Sequence, residues 1–251
     1  MNIYASGPVA SILDAVYQFV SALGGALQPI AGTAAAALAV VVFTLLVRTA
    51  LVPVGVSQAR AEFSRNRLAP QLAELQRIYG RDKKKLQEQT LALYAREKTS
   101  PLTGCLPLLV QAPVLSLVYA LFLYSSIDGH SNTLLTQQLF GVPLGTSFVH
   151  LLGAGQALWP GIAVFVVLLG VIAVTTAVTR TVLSVHPAVT ADGAAAGTPA
   201  TRATRILSYL PFVTVVFAAF VPLAAGLYLV TTTTWSLLER ITLRRLLRSV
   251  G

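Results

Sequence analysis

Arg48 is a permanent positive charge inside a continuous apolar run, residues 33–57. Arginine keeps its proton in proteins, and a charge at the centre of a bilayer costs about 2.5–3.5 kcal/mol even on the lenient insertion scale. The polar flank at Ser57 and Gln58 lies roughly 12–15 Å away along a helix, too far for comfortable snorkelling. The other apolar runs contain no Asp or Glu, so the sequence offers no carboxylate inside the bilayer to neutralise it. Arg48 therefore faces water within the protein or takes a partner from outside. The chemistry open to it is attraction of anionic or polar groups, not bond-making.

A few side chains could share that work. Thr44 lies four residues before Arg48 and on the same helix face. Gln111 is the most polar side chain of the second long apolar run, and Thr231 to Thr234, including Thr233, sit in the last. Together they could hold water around the guanidinium; hydrogen bonding between helices would use the same groups. Tyr228 faces either that surface or a neighbouring helix. Other reactive residues carry little. Cys105 is the single cysteine, which excludes an intramolecular disulfide, and it sits beside Gly104 as a small packing residue. His130, His150 and His186 are too scattered for a metal site. No G-x-x-x-x-G-K-[ST] phosphate loop occurs. The sequence predicts no cofactor, no metal and no enzyme.

The elements that must position these residues follow from composition. Apolar residues make up 55% of the 251 and charged ones 11%. With several apolar runs near 20 residues, this predicts an all-α polytopic membrane protein, since a β-barrel would alternate over ~10-residue segments. The net charge of +9 then reads first as topology, with no DNA partner implied. Ten Lys and Arg fall in 58–100 and none in 126–159, while Arg180, Arg202, Arg205 and the last dozen residues are basic again. Basic segments collect on the cytoplasmic side.

The predicted order is therefore helix 33–57, a cytoplasmic segment 58–100, helix 102–125, an outer loop 126–159, helix 160–180 and a cytoplasmic loop 181–205. The final run has basic flanks at both ends, so it crosses an even number of times. A single 33-residue helix over 206–238 would be about 50 Å long against a core of about 30 Å. Pro222 divides it into helices 206–221 and 222–241, followed by a short basic tail 242–251. The first of the pair is only about 22 Å long and calls for local thinning or a wet cavity. Five crossings result, with the N-terminus outside and the C-terminus inside. No basic residue precedes Arg48, so no cleavable signal is evident. Segment 1–28 carries Ser11, Asp14, Gln18, Ser21 and Gly25 on one stripe, which favours an interfacial amphipathic helix on the outer surface over a sixth span.

Segment 58–100 has helical period despite its charge. Leu68, Leu72, Leu75 and Tyr79 form one seam, and Leu86, Thr90, Leu93 and Glu97, with Tyr94 alongside, form another. Gly80 stops the first helix, Asp82 caps the second, and Pro70 marks a start or a kink. The pair forms a cytoplasmic helical hairpin whose tip, Arg81, Lys83, Lys84 and Lys85, is either a solvated face or a landing site for lipid headgroups, ribosomal RNA or a targeting receptor.

The chain resembles the YidC/Oxa/Alb family of membrane protein insertases. The residues that carry the resemblance are Leu93-Tyr94, Pro101-Leu102-Thr103-Gly104-Cys105-Leu106-Pro107, Gln111-Ala112-Pro113 and Tyr119. Thr44 to Arg48 with Pro53, and Pro222 with Gly226-Leu227-Tyr228, extend the likeness to roughly residues 30–245. The chain departs from the family pattern after Pro222, where it reads Leu223-Ala224-Ala225, then Thr232-Thr233 and Glu239-Arg240.

The resemblance implies a five-helix core with a hydrophilic groove open to the cytoplasm and to lipid, and with Arg48 inside it. It implies nascent membrane proteins as clients and, as partners, the ribosome, the signal recognition receptor, the Sec translocon and membrane lipids. A folding chaperone acting beside the Sec translocon fits the same residues. A channel or transporter fits less well, because no internal repeat or second intramembrane charge is present.

Overall fold

The computed structural model describes residues 7–97, 106–127, 129–153, 159–182 and 212–249. The motif stretch 101–105, most of the loop 181–205, the start of helix 206–221 and the side chain of Gln111 fall outside what is described. The chain divides into two compact units.

The first unit comprises residues 1–51, 111–176 and 212–238. It opens with α1 (Pro8–Ala31), which ends at Pro29 and Gly32. Gly32 has φ 52° and ψ −125°, a backbone state that a side chain would strain, and the chain doubles back there through the short 3-10 turn Gly32–Ala34 into α2 (Ala35–Ala50). The rings of Phe19 and Phe43 lie 6.0 Å apart, where a straight helix would separate these residues by about 36 Å. A Cβ on Gly24 would meet Ala36 Cα at 3.8 Å, so small residues let the two helices pack closely.

α1 buries Ala10, Leu13 and Val20 and half-buries Tyr17, Leu23 and Leu27 against the core, while Ile12, Phe19 and Ile30 are exposed along the flank of that face. The helix predicted for 1–28 is thus present over 8–31, packed along α2. Ser11, Asp14, Gln18, Ser21 and Gly25 share one side of the helix, and apolar residues fill the rest.

α2 ends at Ala50 rather than at the predicted 57. Leu51 N–H still reaches Val47 O at 3.0 Å, but Pro53 has no N–H to give Thr49. Pro53 instead occupies the first turn of the next helix, α3 (Val52–Tyr79), where proline is tolerated.

The rest of the first unit packs onto this pair. α5 (Leu106–Leu123) contributes Val118, Leu121 and Phe122 to the core. Two small antiparallel hairpins follow, β1 (Ser126–Ile127) with β2 (His130–Ser131) and β3 (Gln138–Leu139) with β4 (Val142–Pro143), then α6 (Phe148–Gly153). The β3–β4 turn needs φ > 0 at both residues, and Phe140 (φ 50°) and Gly141 (φ 83°) supply it.

α7 (Trp159–Val182) buries Phe165, Leu168 and Ile172 and exposes Val166, Val167, Val171 and Val174. A helix apolar all round belongs in hydrocarbon or in a deep core. α8 (Val213–Phe220) and α9 (Leu223–Ser249) are separated at Val221 and Pro222. The loop fixes this break: Leu223 N–H donates to Thr146 O at 2.9 Å and Ala224 N–H to Leu144 O at 3.1 Å, satisfying two of the donors a helix start leaves open. Gly226 lets α9 approach α7, since a Cβ there would press on Leu168 at 3.1 Å.

In the second unit, α3 passes without interruption through Pro70 and pairs with α4 (Lys83–Arg96). Asp82 caps α4 by accepting from Lys85 N at 3.1 Å. The seam residues Leu68 and Leu93 are buried, and Arg67 meets Glu97 at 2.7 Å across the pair. α9 continues helically through the predicted tail to Ser249, as its Leu and Arg content favours.

Two described segments, Ala10–Ala50 and Trp159–Thr181, are long and apolar enough to cross a membrane; the first contains the reversal at Gly32.

Candidate functional site

Arg48 occupies the last turn of α2 and is half-buried, one turn above the break that Pro53 imposes. Thr44, one turn earlier, does not share an open surface with it. Thr44 is 1% exposed, and its hydroxyl donates to Val40 O at 2.7 Å. The reason is local: a threonine in apolar surroundings satisfies its hydroxyl on the carbonyl four residues back, and this side of α2 also buries Val40 and Ala37. Thr44 therefore packs into the core in this structure.

Tyr228 is also 1% exposed and belongs to the packed core, which selects the neighbouring-helix alternative. Thr233 is half-buried, with its hydroxyl on Leu229 O at 2.8 Å and Val230 O at 3.1 Å. Gln111 lies on α5. These positions and Arg48 belong to the first unit, whereas Arg81, Lys83, Lys84 and Lys85 are all exposed at the α3–α4 turn in the second.

The threonine run of α9 is not uniform. Thr231, like Thr233, bonds back to its own helix, at 2.8 Å to Leu227 O. Thr232 and Thr234 do not, and their hydroxyl oxygens are buried without a hydrogen-bond partner, as is Nε1 of Trp235. Trp235 was not among the residues singled out from sequence. Its signal was available: Thr232 and Trp235 are three apart, on one stripe of α9.

Glu239, one of the residues at which the sequence departs from the family pattern, lies farther along α9. It is half-buried, and its carboxylate fills the space where a side chain on Gly55 would sit, within the second unit. It lies within the helix predicted for 222–241, and α9 includes it.

Among the described residues, no group of three His, Cys, Asp or Glu gathers as a metal site requires. The polar arrangement can bind, orient and hydrate.

The profile of the family described as 60Kd inner membrane protein matches residues 27–249. The membrane protein insertase YidC of Clostridium perfringens is 30% identical over 115 residues, 46% of this chain and 48% of that protein. That of Marinobacter nauticus is 40% identical over 85 residues, 34% of this chain and 15% of the relative. That of Ruthia magnifica is 32% identical over 112 residues, 45% and 18% respectively. The alignments thus span about half, or less, of the relatives' own length. The profile match covers most of the chain, the described residues are mostly helical, and α7 is apolar on its exposed as well as its buried side. The chain belongs to the 60Kd inner membrane protein family, the YidC/Oxa/Alb family of non-enzymatic membrane insertases, and is a membrane protein.

Proposed function

We infer that this chain helps nascent membrane proteins enter the bilayer, using a positively charged hydrophilic groove and no nucleotide hydrolysis. The observation that carries the reading is Arg48: a permanent guanidinium, half-buried near the end of an apolar helix, in a member of an insertase family. Such a charge is costly in hydrocarbon, and it lowers the cost of bringing in a polar or acidic client segment. The client's own apolar helix then leaves sideways into lipid, and its burial drives the step.

The groove lies between the inner leaflet and the cytoplasm, with Gln111 and the α9 threonines beside Arg48. The chain crosses the inner membrane five times, N-terminus outside and C-terminus inside. The exposed tip Arg81, Lys83, Lys84 and Lys85 recruits the ribosome, the signal recognition receptor or the Sec translocon, or rests on anionic lipid.

The test is reconstitution in vesicles with a small client bearing an acidic translocated tail. Arg48→Ala and Arg48→Glu should lower insertion at least tenfold, while Arg48→Lys retains most of it. Full insertion by Arg48→Ala across several clients would refute the role. In the same assay, neutralising the four tip residues should reduce ribosome binding and flatten its salt dependence. Photo-crosslinks from position 48 that form before insertion support the insertase; crosslinks formed only afterwards support a folding chaperone.

A further inference from the structure

Two buried groups on one stripe of α9, the Thr232 hydroxyl and the Trp235 indole N–H, have no hydrogen-bond partner. Their neighbours show how this helix otherwise satisfies itself, since Thr231 and Thr233 both bond back to carbonyls of α9. Thr232 does not make that bond. Trp235 offers a donor and cannot accept, and its N–H finds no acceptor among the described residues. In hydrocarbon each orphaned polar group costs several kcal/mol. A spacing of three residues sets the two about 4.5 Å apart along the axis. One turn before Thr232 the stripe ends at Tyr228, which is sealed in the core.

The missing partner of the indole is by chemistry an acceptor oxygen. We propose that Thr232 and Trp235 form a docking row for the main-chain carbonyl oxygens of a client segment before that segment has closed its own helix. This deepens the insertase reading and rests on it. A polar client segment entering hydrocarbon carries unpaired carbonyls, each costing several kcal/mol. An indole meets that need with one side chain: its ring face takes the client's apolar side chains while its N–H takes a carbonyl. Both atoms are covered at rest, so engagement requires the side chains over them to turn aside. Water is the other source of the same oxygen chemistry.

The chain has two tryptophans, Trp159 and Trp235, so Trp159→Phe leaves Trp235 as the sole indole reporter. In vesicles containing this variant, adding the acidic-tail client should shift the Trp235 emission and lower its quenching by acrylamide. Trp235→Phe, which keeps the ring, and Thr232→Val, which keeps the shape, should each slow insertion about 3–10-fold, the net worth of one hydrogen bond. Trp159→Phe should insert at the original rate.

An emission that responds to D2O but not to the client assigns the acceptor as water and overturns the proposal. A fall in insertion for Trp235→Phe without any client response of the indole is packing damage and overturns it too. If Trp235→Phe and Thr232→Val insert normally while Arg48→Ala does not, the row fails and the insertase stands. If the unaltered protein inserts nothing, the insertase reading itself fails.

Discussion

Asn132 terminates α5 in a way that no residue of that helix could. It is 5% exposed, its amide donates to the carbonyls of Leu121 and Tyr124, and its Oδ1 accepts from Leu134 N at 3.1 Å. One side chain thus satisfies two carbonyls left open at a helix end and starts the 3-10 turn Thr133–Leu135. Asn132→Ala would leave two buried main-chain groups and one part-buried carbonyl without this partner, a loss of about 2–3 kcal/mol. The expected result is a clear fall in the melting temperature of the detergent-solubilised protein; an unchanged value would mean that water replaces the amide. At this scale residue type was legible and direction was not. Arg48 declares its cost by its charge alone, whereas the orientation of the Thr44 hydroxyl depends on which side of α2 packs inward.

At the scale of elements, α1 is tied to the β1–β2 hairpin by a polar clasp. Asp14 Oδ1 meets His130 Nε2 at 2.7 Å, and its other oxygen accepts from Gln18 Nε2 at 2.7 Å. Tyr17 joins Thr133 at 3.0 Å and stacks obliquely on His130, with ring centroids 5.0 Å apart. The pair is partly exposed, so solvent screening limits its coupling to about 0.5–1 kcal/mol. A double-mutant cycle with Asp14→Asn and His130→Gln, read by thermal unfolding, should return that coupling. Strict additivity of the two variants would show that the contact contributes nothing. The polar stripe of α1 was visible in sequence as Asp14 and Gln18 at helical spacing. Its partner, 116 residues away, was not, because periodicity reports a face and says nothing about what meets it. The Leu51 break is similar. Pro53 was noted as part of a motif, yet where the helix stops depends on which N–H it withholds.

At the scale of the molecule, the five-crossing topology can be tested by labelling. In a Cys105→Ala background, Lys84→Cys and Ser249→Cys should react only with reagent on the cytoplasmic side, and Phe140→Cys only from outside. Reaction of positions 84 and 140 from the same side would remove the odd crossing between them and with it the topology. Exposed valines on α7, with Ile12, Phe19 and Ile30 on α1, are the surfaces such a topology places against lipid.

The sequence alone determined the membrane class of this protein, its charge distribution and the presence of one charge, Arg48, inside an apolar run, because hydrophobic run length, helical period and the sign of side chains are local quantities. Only the tertiary structure decided that Thr44 and Tyr228 are buried and that Trp235 and Thr232 carry unmet polar groups. The same holds for the packing of Glu239 beside Gly55 and the loop carbonyls that hold the start of α9. Each of these depends on what a distant segment brings to the same place, and a helix periodicity is identical whichever neighbour its face finally meets.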